Sequence, residues 1–306
     1  MAFFYMMFGL PGSGKSYWAD ELAKQHNAVV FSSDALRAEL FGSEEDQEHN
    51  GEVFNELQRR ILSALKDNKN VIYDATNLSS KRRKIFLNQL PKNIYRVIYV
   101  VATDYEVCLR QNNNRSRHVP EEVIERMYKQ MQMPRKAEGW DDIRYISSVR
   151  NNSNIVNVLS PCVNFDQDNP HHSNTLFDHM LEAANYVQNN YEKFELNRRE
   201  MAIVYIAALF HDIGKVDTKT YKLWSGKIDS HAHYYGHADV GAYKIACLFH
   251  DVPWEDNQEW IIILKLIMYH MDSYSNPNFL DAVQKIEGKR FRQMLELLHE
   301  GDLNGH

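Results

Sequence analysis

Residues 3–16 read FFYMMFGLPGSGKS, an apolar run that passes without interruption into Gly9-Leu10-Pro11-Gly12-Ser13-Gly14-Lys15-Ser16. The run has the length and aromatic content of a strand buried on both faces. The eight residues after it match G-x-x-x-x-G-K-[ST], a loop whose glycines let backbone N–H groups converge on phosphates at a helix N-terminus. Gly12, Ser13 and Gly14 line that cradle, Lys15 neutralises the β and γ oxygens, and the Ser16 hydroxyl holds Mg²⁺. The competing reading, a glycine-rich turn with a stray lysine, is the weaker one, because the loop lies directly between a strand and a helix expected from near Tyr17. ATP or another nucleoside triphosphate, with Mg²⁺, is therefore the expected cofactor.

Outward from this loop, strand-like runs alternate with helical patterns: YWADELAKQ, AVVFSS, EVFNELQRRILSALK, NVIYDA, RVIYVVAT and DIRYIS follow in order. That rhythm predicts an α/β domain with a parallel sheet over residues 1–150. Residues 151–170 turn to Asn, Ser, Pro and Asp and read as a connector. From Thr175 apolar residues recur at three- and four-residue spacing, as in Leu176, Met180, Ala183, Ala184 and Val187, which predicts an all-α domain over residues 165–306. A chain of 306 residues suits two domains.

Composition narrows the class. Hydrophobic residues make up 44% and charged residues 25%, a globular mixture with no run near the roughly 18 apolar residues of a membrane span. The three cysteines, Cys108, Cys162 and Cys247, are scattered and odd in number, which suits a reducing, cytoplasmic setting and neither a disulfide framework nor a thiolate zinc site. The net charge of −6 is uneven: residues 1–150 sum to about +2 and the rest to about −8. Residues 81–117 hold nine basic residues, among them Lys81, Arg82, Arg83 and Lys84, against Asp104 and Glu106, so a polyanion would meet that segment first, although a run such as Lys81–Lys84 also suits a solvated helix face.

A phosphate loop does not say what receives the phosphoryl group. Ser32-Ser33-Asp34 ends the second strand and Arg37 follows at helical spacing, so Asp34 is placed to take a proton from an acceptor hydroxyl and Arg37 to steady the phosphate. An N-cap aspartate with an arginine three residues on is the equal alternative. Asp74, at the end of VIYDATN, suits the metal's water shell or the acceptor, or else caps the next element. Arg110, Arg115 and Arg117 precede VPEEVIERMYKQM and could close over the γ-phosphate as a lid, surface arginines being the plain alternative. With SSDALR, YDATNLSSKRR and LRQNNNRSRHVPEEVIERMYKQM in this order behind the loop, residues 1–150 resemble the kinase domain of the phage polynucleotide 5′-kinase family. The resemblance implies that Asp34 is the general base, that Arg37 contacts the acceptor phosphate and that Arg110 and Arg115 engage the donor. The arginine spacing differs from the family pattern by one residue, which leaves Arg115 and Arg117 as alternatives.

Residues 151–306 hold 11 of the 14 histidines. Two stretches are nearly the same, AALFHDIGK at 207–215 and ACLFHD at 246–251. For His211-Asp212 further ligands lie on other predicted helices: His179, His237, His270 and Asp302, at intervals that successive helices would occupy. His250-Asp251 precedes Val252-Pro253 and reads as a helix end. Gly241 is expected to let the His237 helix approach its neighbour closely. Imidazoles and carboxylates without thiolates favour Mn²⁺, Fe²⁺, Co²⁺ or Ni²⁺, and a pair of such ions suits attack on a phosphate ester. With NPHHSNTLFDHML, LFHDIGK, GHADVGA and GDLNGH, this half resembles the HD phosphohydrolase superfamily and is close to the HD module of bacterial tRNA nucleotidyltransferases. The resemblance implies one metal at His179, His211, Asp212 and Asp302, a second at His237 and His270, and phosphate contacts from Lys215 and from His171 and His172, for which a solvated turn is the alternative.

Together the halves resemble bifunctional HD-polynucleotide kinases, in which the HD module comes first. The implied function is healing of RNA or DNA ends: ATP-dependent phosphorylation of a 5′-OH and metal-dependent removal of a 3′- or 2′-phosphate or 2′,3′-cyclic phosphate. The implied partners are nucleic acid ends and a ligase acting downstream, with no membrane. A small-molecule or nucleoside kinase fused to a nucleotide phosphohydrolase is the alternative, favoured by the overall acidity, and a nucleotide-sensing switch without turnover is a third.

Overall fold

The computed structural model describes residues 2–115, 118–147, 154–168, 174–248, 258–275 and 278–305. The chain divides into two units, Met1–Tyr128 with Pro134–Asn151, and Lys129–Met133 with Asn152–His306.

In the first unit β1 (Phe3–Phe8), α1 (Lys15–His26), β2 (Ala28–Ser32), α2 (Ser33–Phe41) and α3 (Asn50–Lys66) lead to β3 (Asn70–Asp74). Then follow α4 (Ser80–Leu87), β4 (Tyr95–Ala102), α5 (Tyr105–Asn113), α6 (Glu121–Lys129), a 3-10 turn at Lys136–Glu138 and β5 (Asp142–Ser147). All five strands are parallel in the order β2-β3-β1-β4-β5. The central strands are buried on both faces, which is why β1 reads as a continuous apolar run rather than an alternating one. Because β1 is central and β3 is its neighbour, the carboxyl end of β3 delivers Asp74 beside the loop that follows β1. The first helix begins at Lys15, two residues before the predicted Tyr17, so the loop lysine and serine are already in its first turn.

One result overturns a surface expectation. Of the run Lys81–Lys84, Arg83 is almost wholly buried, and only the other three are exposed. Its guanidinium makes two hydrogen bonds to Glu138, at 2.8 and 2.6 Å, and a third to the carbonyl of Asn77. Glu138 also accepts from Ser80 and from the Trp140 indole. The helical period turns one residue of the run inward, and a paired guanidinium tolerates the interior where a lone one would not. Burial pushes the Glu138 carboxyl up, but the bonds and charge of Arg83, with Trp140 and Ser80, outweigh it and hold it below the usual range. Glu138→Gln leaves Arg83 buried without its counter-charge and is expected to cost about 3–5 kcal/mol in chemical unfolding of this unit. Since the folded-state pKa lies below the unfolded one, the wild-type advantage should be complete above the ordinary glutamate range and shrink as pH falls through the folded value. An equal penalty at low and neutral pH would contradict it.

In the second unit a short α7 (Ile155–Leu159) and a 3-10 turn interrupt what the sequence suggested was plain connector. After it come α8 (Leu176–Asn190), α9 (Arg198–Phe210), α10 (Lys215–Thr218), β6 (Thr220–Lys222), β7 (Ile228–His233) and α11 (His237–Cys247). The chain continues through α12 (Gln258–Tyr269), α13 (Asp272–Ser275), α14 (Phe279–Glu287) and α15 (Lys289–Asn304). Helices α8, α9, α12 and α15 pack on one another around Met180, Val187, Val204, Ile267 and Leu298. Asn197 and Glu200 form a reciprocal capping box that fixes the start of α9, and Thr175 caps α8. The unit is helical as expected, with one addition: β6 and β7 form an antiparallel hairpin that the apolar spacing did not signal. The close approach predicted at Gly241 falls mainly on Gly214, where a Cβ would lie 2.0 Å from the His237 carbonyl.

Candidate functional sites

The phosphate loop has the backbone its sequence requires. Gly9, Gly12 and Gly14 have φ of 156°, 81° and 90°, and a Cβ on Gly12 would sit 2.2 Å from the Cys108 carbonyl. The Lys15 ammonium donates to the Leu10 carbonyl at 2.7 Å inside the loop. Burial pushes Lys15 down from its usual pKa, with Asp74 opposing. The Ser16 hydroxyl donates to Asp74 at 2.7 Å, joining the hydroxyl expected to hold Mg²⁺ to the carboxylate at the end of β3. Burial raises the Asp74 carboxyl, and Lys15 and Ser16 counter it. The Ser13 hydroxyl is buried without a partner among the described residues, as suits a cradle built to bind phosphate oxygens. The donors and the paired hydroxyl and carboxylate fit a nucleotide with Mg²⁺.

Asp34 and Arg37 lie on the first turns of α2, joined at 2.6 Å. The cap of this helix is Ser32, which accepts from the Ala35 N–H, so Asp34 is not the capping residue. Arg37 is buried while Asp34 is about half exposed, and the Arg37 Nε has no partner among the described residues. Arg37 also donates to Asn50, which the sequence did not single out. The lid arginines separate. Arg110 sits within α5 and is exposed, rather than on a loop before α6; Arg115 follows that helix and lies close enough to Lys15 to lower its pKa. Arg117 lies outside the described residues, as do His171, His172, His250 and Asp251.

In the helical unit the six predicted ligands come together and are all buried. His179 comes from α8, His211 and Asp212 from the turn after α9, His237 from the first residue of α11, His270 from just beyond α12, and Asp302 from α15. Two donor sets form: His179, His211, Asp212 and Asp302, and Asp212, His237 and His270. Asp212 belongs to both. Its Oδ2 faces the Nε2 atoms of His179 and His211 at 3.4 and 3.3 Å, and its Oδ1 faces those of His237 and His270 at 3.1 and 3.6 Å. Asp302 Oδ1 lies 3.1 and 3.2 Å from His179 and His211, and the Nε2 atoms of His237 and His270 are 3.2 Å apart. Ligand atoms bound about 2.0–2.2 Å from one ion at tetrahedral to octahedral angles are separated by about 3.0–3.5 Å, so the donors are already spaced for coordination.

The histidines are oriented by the backbone. Their Nδ1 atoms meet the carbonyls of Gly305, Ala208, Tyr234 and Ile267 at 2.6, 2.7, 2.7 and 2.7 Å. An Nδ1–H donating to a carbonyl leaves Nε2 with its lone pair toward the cluster, the arrangement metal-binding imidazoles use. Burial works against a charged His211, but Asp212 and Asp302 hold it up to about 10. Both carboxyls lie well below their usual range despite burial, Asp212 through Lys215 and the histidines and Asp302 through His211 and His179. Burial lowers His270. An ion entering this site must therefore displace protons, and divalent-metal affinity is expected to rise between pH 6 and 8, by about tenfold per unit for each proton displaced. Calorimetric titration with Mn²⁺ in buffers of different ionisation enthalpy measures the release; affinity independent of pH would exclude it.

Lys215 donates to Asp212 Oδ2 at 2.7 Å and to Gln167 Oε1 at 2.9 Å. Gln167 is buried, and its Nε2 has no partner among the described residues. Tyr274 donates to Asp302 Oδ2 at 2.7 Å. Neither Gln167 nor Tyr274 carries a sequence signal: the first lies in the Asn- and Asp-rich connector and the second in a short helix with no spacing pattern.

Comparison with known proteins agrees with this division. A family model described as an AAA domain, AAA_33, matches residues 4–134, and one described as an HD domain matches residues 176–299. The curated L-seryl-tRNA(Sec) kinase of Methanococcus maripaludis is 26% identical over 144 residues, covering 44% of this chain and 55% of that protein. The chain thus spans about half the length of this curated relative. Among solved structures, the Pnkp1/Rnl/Hen1 RNA repair complex matches with a TM-score of 0.39 and 23% identity over 42% of this chain and 43% of that one. A gluconokinase structure from Sinorhizobium meliloti 1021 matches with a TM-score of 0.36 and 16% identity over 48% of this chain and 83% of that one. Structural likenesses of this size carry no functional weight. No helix among the described residues is long and apolar enough to cross a membrane. The chain thus joins a parallel-sheet unit with a phosphate loop, matched by the AAA-domain model, to a helical unit matched by the HD-domain model.

Proposed function

We propose that the protein heals nucleic acid ends, the first unit transferring phosphate from ATP to a 5′-OH and the second removing a 3′- or 2′-phosphate or opening and removing a 2′,3′-cyclic phosphate. The observation that carries the reading is that one chain holds both a phosphate loop with Ser16 joined to Asp74 and Asp34 joined to Arg37, and a buried cluster of six imidazole and carboxylate residues. Asp34 accepts the proton of the attacking hydroxyl, Arg37 holds the acceptor's phosphate, and Asp74 with Ser16 holds Mg²⁺ beside the donor. Arg110 and Arg115 approach the donor as charge develops in transfer. The relative named L-seryl-tRNA(Sec) kinase supports an acceptor hydroxyl carried on RNA.

In the second unit His179, His211, Asp212 and Asp302 hold one divalent ion, and Asp212, His237 and His270 a second, with Mn²⁺, Fe²⁺, Co²⁺ and Ni²⁺ matching the donor chemistry. When bound, such ions supply Lewis acidity at a phosphate ester. Lys215 neutralises a non-bridging phosphate oxygen and orients Asp212. A ligase consuming 5′-phosphate and 3′-OH ends is the downstream partner class.

The test is mass analysis of an RNA with a 5′-OH and a 2′,3′-cyclic phosphate after incubation with ATP and Mn²⁺. Gain of one phosphate at the 5′ end and its loss at the 3′ end support the reading. Phosphorylation of nucleosides but not of oligonucleotides would replace it with the small-molecule reading that the net charge of −6 favours.

A further inference from the structure

The hairpin of β6 and β7 lies between the HD sequence and His237, and it exposes an aromatic surface that the metal cluster does not use. Trp224, in its turn, is 79% exposed. Its ring lies 4.4 Å from that of Tyr235, which in turn stacks on His233 at 5.5 Å with the planes 3° apart. The Leu223 N–H to Lys227 carbonyl and Gly226 N–H to Leu223 carbonyl bonds hold the turn in shape. A large exposed indole lying tilted at 43° beside a partly exposed tyrosine leaves apolar surface for a partner to cover.

Two further features define what covers it. Just beyond the end of β7, Tyr234 donates to the Gln167 carbonyl and has the Lys215 ammonium 5.4 Å from its ring centre, whereas Tyr235 meets both His233 and Trp224. Tyr235 is two residues from the cluster residue His237, about 7 Å of backbone at the most, so the aromatic residues begin two residues along the chain from the histidine and aspartate cluster. The local charge is also opposite to that of its half: residues 219–235 contain Lys219, Lys222 and Lys227 against Asp229 alone, in a half whose net charge is about −8. Lys219 pairs with Asp168 and Asp229 pairs with His233, while Lys222 and Lys227 are exposed.

From this geometry we propose that Trp224, Tyr235 and His233 form a stacking platform for the terminal bases of a single-stranded nucleic acid whose end phosphate lies at the HD cluster, with Lys222 and Lys227 following its backbone. The inference rests on the phosphohydrolase reading of that cluster and adds to it the residues that hold the bases next to the end phosphate. Aromatic faces accept any base, so the platform gives affinity without sequence preference.

The test compares wild type, W224A and W224F, loaded with Mn²⁺, on a 5′-phosphorylated trinucleotide carrying a 3′-phosphate and on the same molecule with an abasic last sugar. Loss of one stacked base corresponds to about a 5- to 150-fold weakening. W224A should raise KM for the base-bearing substrate within that range, leave kcat and the abasic KM unchanged, and be largely rescued by W224F. Fluorescence anisotropy of the labelled trinucleotide in EDTA reads the same difference without turnover. If no phosphate is released by wild type while W224A still weakens binding, the phosphohydrolase reading fails and the platform stands. Equal KM and equal binding in wild type and W224A overturn the platform, as does a W224A that only changes oligomeric state, which would mark a protein interface.

Discussion

Asp212→Asn is expected to abolish metal-dependent phosphate release, by more than about a hundredfold, while leaving phosphorylation of a 5′-OH oligonucleotide intact. Outer partners of metal ligands already cost about 10- to 100-fold when lost, and Asp212 belongs to both donor sets of the proposed metal site. An asparagine offers one oxygen where the carboxylate offers two, and it removes the charge that faces four imidazoles and Lys215. Elemental analysis should show the bound divalent ions falling to one per chain or fewer. Retained hydrolysis with two ions bound would contradict the need for Asp212 in both donor sets, and loss of both activities would contradict two independent sites.

The second large effect lies in the other unit. Asp34→Asn should lower transfer to a 5′-OH by about 10²–10⁴-fold, the usual contribution of a positioned general base, with KM for ATP unchanged. Asparagine keeps an oxygen able to accept from Arg37, so the 2.6 Å link survives while the basicity is lost. The alternative of a helix-capping aspartate makes a different prediction. Ser32 already caps α2, so a purely structural Asp34 would lose only a helix-dipole contribution of about 0.3–1 kcal/mol in stability and little activity. Steady-state kinetics beside a thermal melt separates the two, and unaltered kcat would remove Asp34 from the chemistry.

Much of this was legible in the chain itself, for local reasons. A glycine spacing that only a left-handed loop accommodates, directly after an apolar strand, specifies the phosphate cradle within eight residues. The six residues of the buried histidine and aspartate cluster were also nameable, because imidazoles and carboxylates recur behind helical apolar patterns at intervals one helix and its loop would fill. The choice of the first LFHD stretch rested on partner residues on other predicted helices and on the proline after the second, which lies outside the described residues.

Other properties arise only when distant segments meet. The sharing of Asp212 between two donor sets, the carbonyls that aim each imidazole and the pairing of His179 with Asp302 across 123 residues depend on how α8, α9, α12 and α15 pack. Burial of Arg83 in a run of four basic residues depends on Glu138, 55 residues away. Gln167, Tyr274 and the Trp224 platform likewise have no periodic signature, since each acts through contacts made across the fold. The sequence by itself determined the phosphate-loop backbone and the residue types of the histidine and aspartate cluster, because backbone conformation and residue type are local properties. Only the tertiary structure decided which side chains face one another, because distance and burial belong to the packed chain.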